Sequence, residues 1–317
     1  MTTDVKLFIA LLALPLVVAM FEFGWFVALM LVLVWLVLRW GATLQGLMRR
    51  GNPEIQLDTI AVSHFVEKVR WCLDRADIPY KEHQSVGSMG AFFTGRSVPR
   101  LRVHTGAVTT SIGNSPEILR YLWGRYAHEA PEKRAFLAPT PERVAFEQTL
   151  DRYGVNLQVW VYSHMLKHPE KLDILWGLND PNTPAFQRAF GRLVAPLLRT
   201  MIAKSFRITP GNVEKAKGFI EKLLADTESR LAQNGHLVDE TRSFVDYAFA
   251  GISSLWLQPE EFGGGAADNV RLGAEDMPDS LIADANEWKA AYPLSVEFMQ
   301  SLYRHERRRT APLAEAA

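Results

Sequence analysis

Between Lys6 and Arg39 the chain is apolar from Leu7 to Leu38, with Glu22 as its one ionisable interruption. A hydrocarbon core about 30 Å thick is crossed by roughly 20 apolar residues in a helix. The run is therefore long for one span and short for two. Pro15 and the Glu22-Phe23-Gly24 break near the midpoint favour a hairpin. A single span stays open, because tilt absorbs excess length and one carboxyl is tolerated when protonated or paired. Arg39, Arg49 and Arg50 follow the run, and basic flanks stay in the cytoplasm. Either way the expectation is an inner (cytoplasmic) membrane protein whose remaining residues face the cytoplasm. A cleaved signal peptide is disfavoured, since the stretch far exceeds an h-region of about 7–15 residues and no small-x-small site follows.

Beyond the anchor, about 265 residues remain, enough for a domain-sized core or two small cores sharing an interface. Lys and Arg total 35, and Asp and Glu also total 35, so no net field recruits nucleic acid. No cluster of aromatic and basic residues suggests a nucleic-acid groove. The single cysteine, Cys72, excludes an internal disulfide framework and a Cys-x-x-Cys motif, and fits a reducing compartment. Its place on an apolar helical stripe reads as a small buried hydrophobe. Arg307-Arg308-Arg309 reads as a solvated helix end.

The pattern after the anchor alternates. Ile55 to Val62 is strand-like. Ser63 opens a helix with Phe65, Val69, Cys72 and Leu73 at helical spacing, ended by Asp77-Ile78-Pro79. Tyr80 to Val86 is a weak strand, and 87–95 is irregular and rich in small residues. Val98 to Val103 alternates as a strand, with Thr105-Gly106 as a turn and Ala107 to Thr110 as a return strand. Ser115 precedes an amphipathic helix. From Pro141 the pattern is helical: Pro141–His168, Thr183–Lys204, Gly211–Gln233, Ser243–Leu257, Asp279–Ala291 and Leu294–Arg307. Breaks fall at Pro169, Pro181, Pro210, Gly235 and the glycines at 263–265.

Four stretches carry a family resemblance. Val62-Ser63-His64-Phe65-Val66-Glu67-Lys68-Val69-Arg70-Trp71 is similar to the first strand-to-helix junction of the cytosolic glutathione S-transferases. Arg96-Ser97-Val98-Pro99-Arg100-Leu101 is similar to their Val-Pro step, and Asn114-Ser115-Pro116-Glu117-Ile118-Leu119-Arg120-Tyr121-Leu122 to their acidic-Ser-x-x-Ile-x-x-Tyr-Leu stretch. Ser243-Phe244-Val245-Asp246 resembles the Ser/Thr-x-x-Asp box that opens a buried helix in the second domain. The resemblance covers about Ile55 to Arg307. It implies a membrane-anchored α+β/all-α protein: anchor and linker over 1–50, a thioredoxin-like unit over 51–128, a linker over 129–140, and an all-helical unit over 141–317.

The resemblance also implies a site. Ser63 would meet the glutathione sulfur. A hydroxyl at a helix start can donate to a thiolate and lower its pKa. The competing reading is a plain N-cap for Val66 or Glu67, for which serine is preferred. Pro99 would be cis, turning the Val98 backbone toward an extended peptide ligand; alone, a proline opening a strand is harmless. Ser115 and the free N–H groups of its helix would take the γ-glutamyl carboxylate. Asn114 departs from the family's acid, and a neutral carbonyl holds an ammonium group less strongly than a carboxylate does. His64 reads as a partly exposed polar residue. Ser243 and Asp246 read as a structural capping box. Tyr153, Trp160 and Tyr162 on one helix are core or wall of a second-substrate pocket, with core the commoner fate of such rings.

The activity implied is a transferase joining glutathione, as co-substrate and without a metal, to lipophilic electrophiles at the membrane, a detoxification chemistry. The implied partners are glutathione, a hydrophobic small molecule and the lipid bilayer, with a homodimer left open and nucleic acid excluded. The alternative is a non-catalytic interaction or assembly module on the same fold. Ser63, where the redox-active branch has cysteine, argues against thiol–disulfide exchange.

Overall fold

The computed structural model describes residues 17–18, 21–22, 24–48, 52–84, 98–181, 183–273 and 276–307. In the apolar run, Gly24 at φ 81° separates helical Phe21 and Glu22 from helix α1 (Trp25–Met48), so the break expected around Glu22 is present at Gly24. Aromatic, β-branched and leucine residues fill α1 on every face as far as Leu38. Its most apolar 18-residue window has mean hydropathy 2.1 and none of it is buried, so α1 is long and apolar enough to cross a membrane. The choice between hairpin and single span turns on residues 1–16, which lie outside the described residues.

The chain divides into two compact units: α1 with the segment 103–110, and residues 55–102 with those from 111 onward. In the first, the C-terminal turns of α1 meet the 103–110 turn. A Cβ on Gly46 would lie 2.9 Å from the Thr105 carbonyl oxygen. Gly106, at φ +64°, brings its own Cβ position within 3.5 Å of Gly46. The approach requires glycine at Gly46, while at Gly106 it is the positive φ that favours glycine.

The strands are β1 (Glu54–Thr59), β2 (Lys81–Gln84), β3 (Arg100–Thr105) and β4 (Val108–Gly113), in the sheet order β2-β1-β3-β4. β1 and β2 are parallel, with Gln56 opposite Lys81 and Thr59 opposite Gln84, and are joined through helix α2 (His64–Arg75). Helix α3 (Ser115–Tyr126) follows β4. The expected irregular segment 87–95 lies outside the described residues. Between 127 and 137 the chain makes three short helical turns, and Arg134 is buried there, donating to the carbonyls of Ala76 and Tyr126.

The remaining helices are α4 (Pro141–Met165), α5 (Pro169–Leu175), α6 (Ala185–Ser205), α7 (Pro210–Asn234), α8 (Phe244–Leu257), α9 (Asp279–Ala291) and α10 (Pro293–Glu306). α8 is the centre of the core, packed on α2 and α4. Nearly all of its side chains are buried, including Phe244, Tyr247, Phe249 and Trp256. Its start is stapled by the expected box: the Ser243 N–H donates to Asp246 Oδ2 at 2.7 Å and the Ser243 hydroxyl to the same oxygen at 3.1 Å. Gly251 lets α8 close on α2; a Cβ there would be 3.3 Å from the Lys68 backbone nitrogen.

Because α2 lies between the sheet and α8, its charged face is buried as well as its apolar one. Arg70 forks onto Glu82 through Nε and Nη2 at 3.0 and 2.7 Å, and donates to Glu67 at 3.0 Å. Lys68 pairs with Glu147 at 2.7 Å and Asp151 at 3.2 Å. Arg307 was expected to be solvated. It is buried instead, with its Nε 2.8 Å from Glu67 and its Nη1 2.8 Å from Asp74. Burial of this cation requires acid partners, and α2 supplies them. Arg308 and Arg309 lie outside the described residues. Cys72 is buried, as expected, and burial pushes its thiol up to about 12.

Candidate functional site

Each predicted site residue lies at a junction between elements. Ser63 follows β1 in an extended conformation, φ −73° and ψ 122°, which suits the residue before a helix. Its Oγ accepts the Val66 N–H at 3.4 Å, so the capping role is real. A cap uses a hydroxyl lone pair and leaves the proton free to donate elsewhere. The Val98–Pro99 peptide is cis. Asn114 caps α3 at φ 71° and ψ 131°, without a side-chain cap bond, and Ser115 opens that helix as a buried residue ahead of Pro116 and Glu117. Asparagine is among the side chains that tolerate positive φ.

All five residues, Ser63, Val98, Pro99, Asn114 and Ser115, line one cavity of about 800 Å³. Its other walls come from the helices. Val155, Tyr162 and Met165 of α4, Leu172 and Trp176 at α5, and Leu198, Ile202 and Phe206 at α6 make most of it apolar. Of the three aromatics named on α4, Tyr162 lines the cavity, stacked on Phe206 at 5.4 Å. Tyr153 and Trp160 are core: the Tyr153 hydroxyl meets Ser253 Oγ at 2.9 Å, and the Trp160 ring lies 4.7 Å from Trp288.

Sequence reasoning missed two charged wall residues. Asp151 on α4 reaches both the cavity and Lys68, and Arg271 lines the cavity while donating to the Pro259 carbonyl at 2.8 Å. Neither belongs to a motif; only the fold carries them to the site. Together they offer a carboxylate and a guanidinium, a complement for a ligand with an ammonium and a carboxylate.

His64 also lines the cavity but is buried, contrary to the expectation of partial exposure. The start of α2 is covered by Gly154 of α4, whose missing side chain leaves room for the His64 and Phe65 rings. Burial holds the imidazole down to about 3, opposed weakly by a backbone hydrogen bond to Gly154. Burial therefore favours the neutral imidazole at His64.

The four-stranded sheet in the order β2-β1-β3-β4 is followed by a mostly helical part. No family model matches the chain, and no curated protein matches it. Among solved structures it is similar to a glutathione S-transferase from Methylobacterium radiotolerans in complex with glutathione sulfonate. That match has 14% identity and a TM-score of 0.47, covering 83% of this chain and 99% of that one. A glutathione S-transferase from Methylobacillus flagellatus with glutathione bound matches at 15% identity and TM-score 0.48, over 82% of this chain and 100% of that one. FzlA from C. crescentus matches at 14% identity and TM-score 0.42, over 81% and 96%. Likenesses at this level assign no chemistry.

Proposed function

We propose that this chain is a membrane-anchored, glutathione-binding transferase whose Ser63 hydroxyl stabilises the glutathione thiolate for attack on a lipophilic electrophile. The observation that carries the reading is the convergence of Ser63, Val98, Pro99, Asn114 and Ser115 on one cavity whose remaining walls are mostly apolar. In this reading the tripeptide runs along the Val98 backbone, and Ser115 with the α3 N-terminus holds its γ-glutamyl carboxylate. The ammonium group, deprived of the usual acid at Asn114, would look to Asp151. The thiolate lies at the start of α2, where the helix dipole and the Ser63 O–H both favour negative charge. Leu172, Trp176, Leu198 and Ile202 would hold the electrophile. The helix α1 spans the inner membrane, with Arg39, Arg49 and Arg50 keeping the cavity-bearing unit in the cytoplasm.

The test is calorimetric titration of the full chain in detergent with glutathione, paired with turnover of a chromogenic electrophile. Binding with turnover supports the transferase. Binding to neither ligand would move the assignment to a non-catalytic interaction module, the reading that Asn114 in place of an acid favours. Topology is checked by adding protease to intact spheroplasts, where the reading expects the chain beyond Gly51 to remain uncut and cleavage would overturn it.

A further inference from the structure

Among the described residues that line the cavity, Asp151 and Arg271 are the two with a formal charge, and their situations differ. Asp151 is already neutralised. It pairs with Lys68, Lys68 with Glu147 and Glu147 with Arg120, so two carboxylates meet two cations in one network. Arg271 is half-buried and pairs with no carboxylate among the described residues; its Nη1 donates to the Pro259 carbonyl oxygen at 2.8 Å. A guanidinium has five N–H donors. One bond to a neutral carbonyl leaves most of them, and the charge itself, for another partner. Bonds from such a group to an anion are roughly twice as strong as bonds between neutral groups. The wall thus presents a cation without its complement.

The chain around Arg271 belongs to the apolar walls. A Cβ on Gly177 would lie 3.7 Å from Cγ1 of Val270, so the residue before Arg271 packs beside the end of α5, next to the wall residue Trp176. Leu272 and Met277, which follow it, line the cavity as well. Ser63 and Ser115 stand elsewhere, at the starts of α2 and α3. We propose that Arg271 holds a carboxylate on the electrophile, so that the second ligand is an amphiphilic acid and not a neutral hydrophobe. Its apolar body is buried against the same walls, which favours binding. The proposal deepens the transferase reading above and rests on it for the reaction. There the glutathione sulfur forms the new C–S bond with its own electron pair, and the displaced group leaves with the pair of the bond that breaks. The rival anion is the glycyl carboxylate of glutathione itself.

The experiment titrates the full chain, in non-ionic detergent and with S-methylglutathione present, with 4-methyl-3-nitrobenzoate and with the corresponding amide. The two probes share a shape and differ in charge, and neither reacts. The expected result is that the parent binds the acid about tenfold to a hundredfold more tightly, the range set by one hydrogen bond to a charged group. Arg271→Gln, whose amide can still donate to the Pro259 carbonyl, should erase that preference, and Arg271→Lys should restore part of it. Turnover of 4-fluoro-3-nitrobenzoate with glutathione, in which fluoride leaves, adds a second readout: Arg271→Gln should raise KM for the acid and not KM for glutathione. Equal binding of acid and amide by the parent would overturn the proposal without recourse to any variant. So would a preference that survives in Arg271→Gln. A rise in KM for glutathione alone would give Arg271 to the glycyl carboxylate and overturn it too. Preference for the acid in a protein that shows no heat with S-methylglutathione would defeat the glutathione reading and leave the Arg271 carboxylate site standing.

Discussion

A Cβ placed on Gly154 would lie 2.6 Å from Cζ of Phe65, closer than real side chains approach. The glycine is what lets α4 cover the start of α2, and Phe65 lines the cavity. Gly154→Ala should therefore destabilise the fold despite alanine's better helix propensity, by about 1–3 kcal/mol as other overpacked cores do. Because the ring must move, ligand affinity should fall as well. Thermal melts with and without glutathione check both; a variant more stable than the parent would contradict this packing.

Glu67 holds two guanidiniums. Burial alone would push its carboxyl up, but Arg307 and Arg70 outweigh that and hold it below the ordinary carboxylate value. Arg307→Ala removes one of them and strands buried charge, a loss of about 3–5 kcal/mol. Denaturant midpoints should show it. For the parent, the contribution of Glu67 is present above the unfolded-state value of 4.5 and is lost as pH falls below it, because the unfolded carboxyl then binds the proton more readily.

His64 has a separate acid limb. Its folded-state pKa of about 3 lies under the ordinary 6.5, so between these values the unfolded chain binds more protons than the folded one. Stability should therefore fall with pH through that window, by up to about 1.4 kcal/mol per unit. His64→Gln should flatten the decline between pH 6.5 and 5. Equal slopes in the two proteins would sink the assignment.

Ser63→Ala separates two roles that the geometry makes compatible. Loss of the cap to Val66 should cost about 1 kcal/mol of stability. If the hydroxyl proton also serves the thiolate, turnover should fall roughly tenfold to a hundredfold, the equivalent of about 1.5–3 kcal/mol. Glutathione affinity should change little. Unchanged turnover in a slightly weakened protein would leave Ser63 a cap alone.

Much of the architecture was legible because its signals are local. Pro141, Pro210 and Ser243 open helices near where proline and capping rules place them, and Asp279–Ala291 matches its expected bounds. α5 was not legible: Pro169 reads as a break, yet it starts that helix, since proline is at home in a first turn. The fate of charged side chains was also hidden. Periodicity locates the apolar stripe of α2 but is silent on what covers its other face, so Lys68, Arg70 and Arg307 carry no mark of burial in the sequence. Asp151 and Arg271 join the cavity through tertiary packing alone, whereas Ser63, Val98, Pro99, Asn114 and Ser115 sit in recognisable local patterns.

The Glu67–Arg307 pair also has a dimension in time. The two residues are 240 positions apart. At about 5–20 residues per second, a ribosome needs roughly 10–50 s to make the second after the first. Throughout that interval the Glu67 carboxylate has Arg70 but not its other cation, and α2 is without the partner that closes its polar face. The polar side of α2 is thus completed only after synthesis has passed α10, and until then solvent is what remains to screen the Glu67 carboxylate on that side.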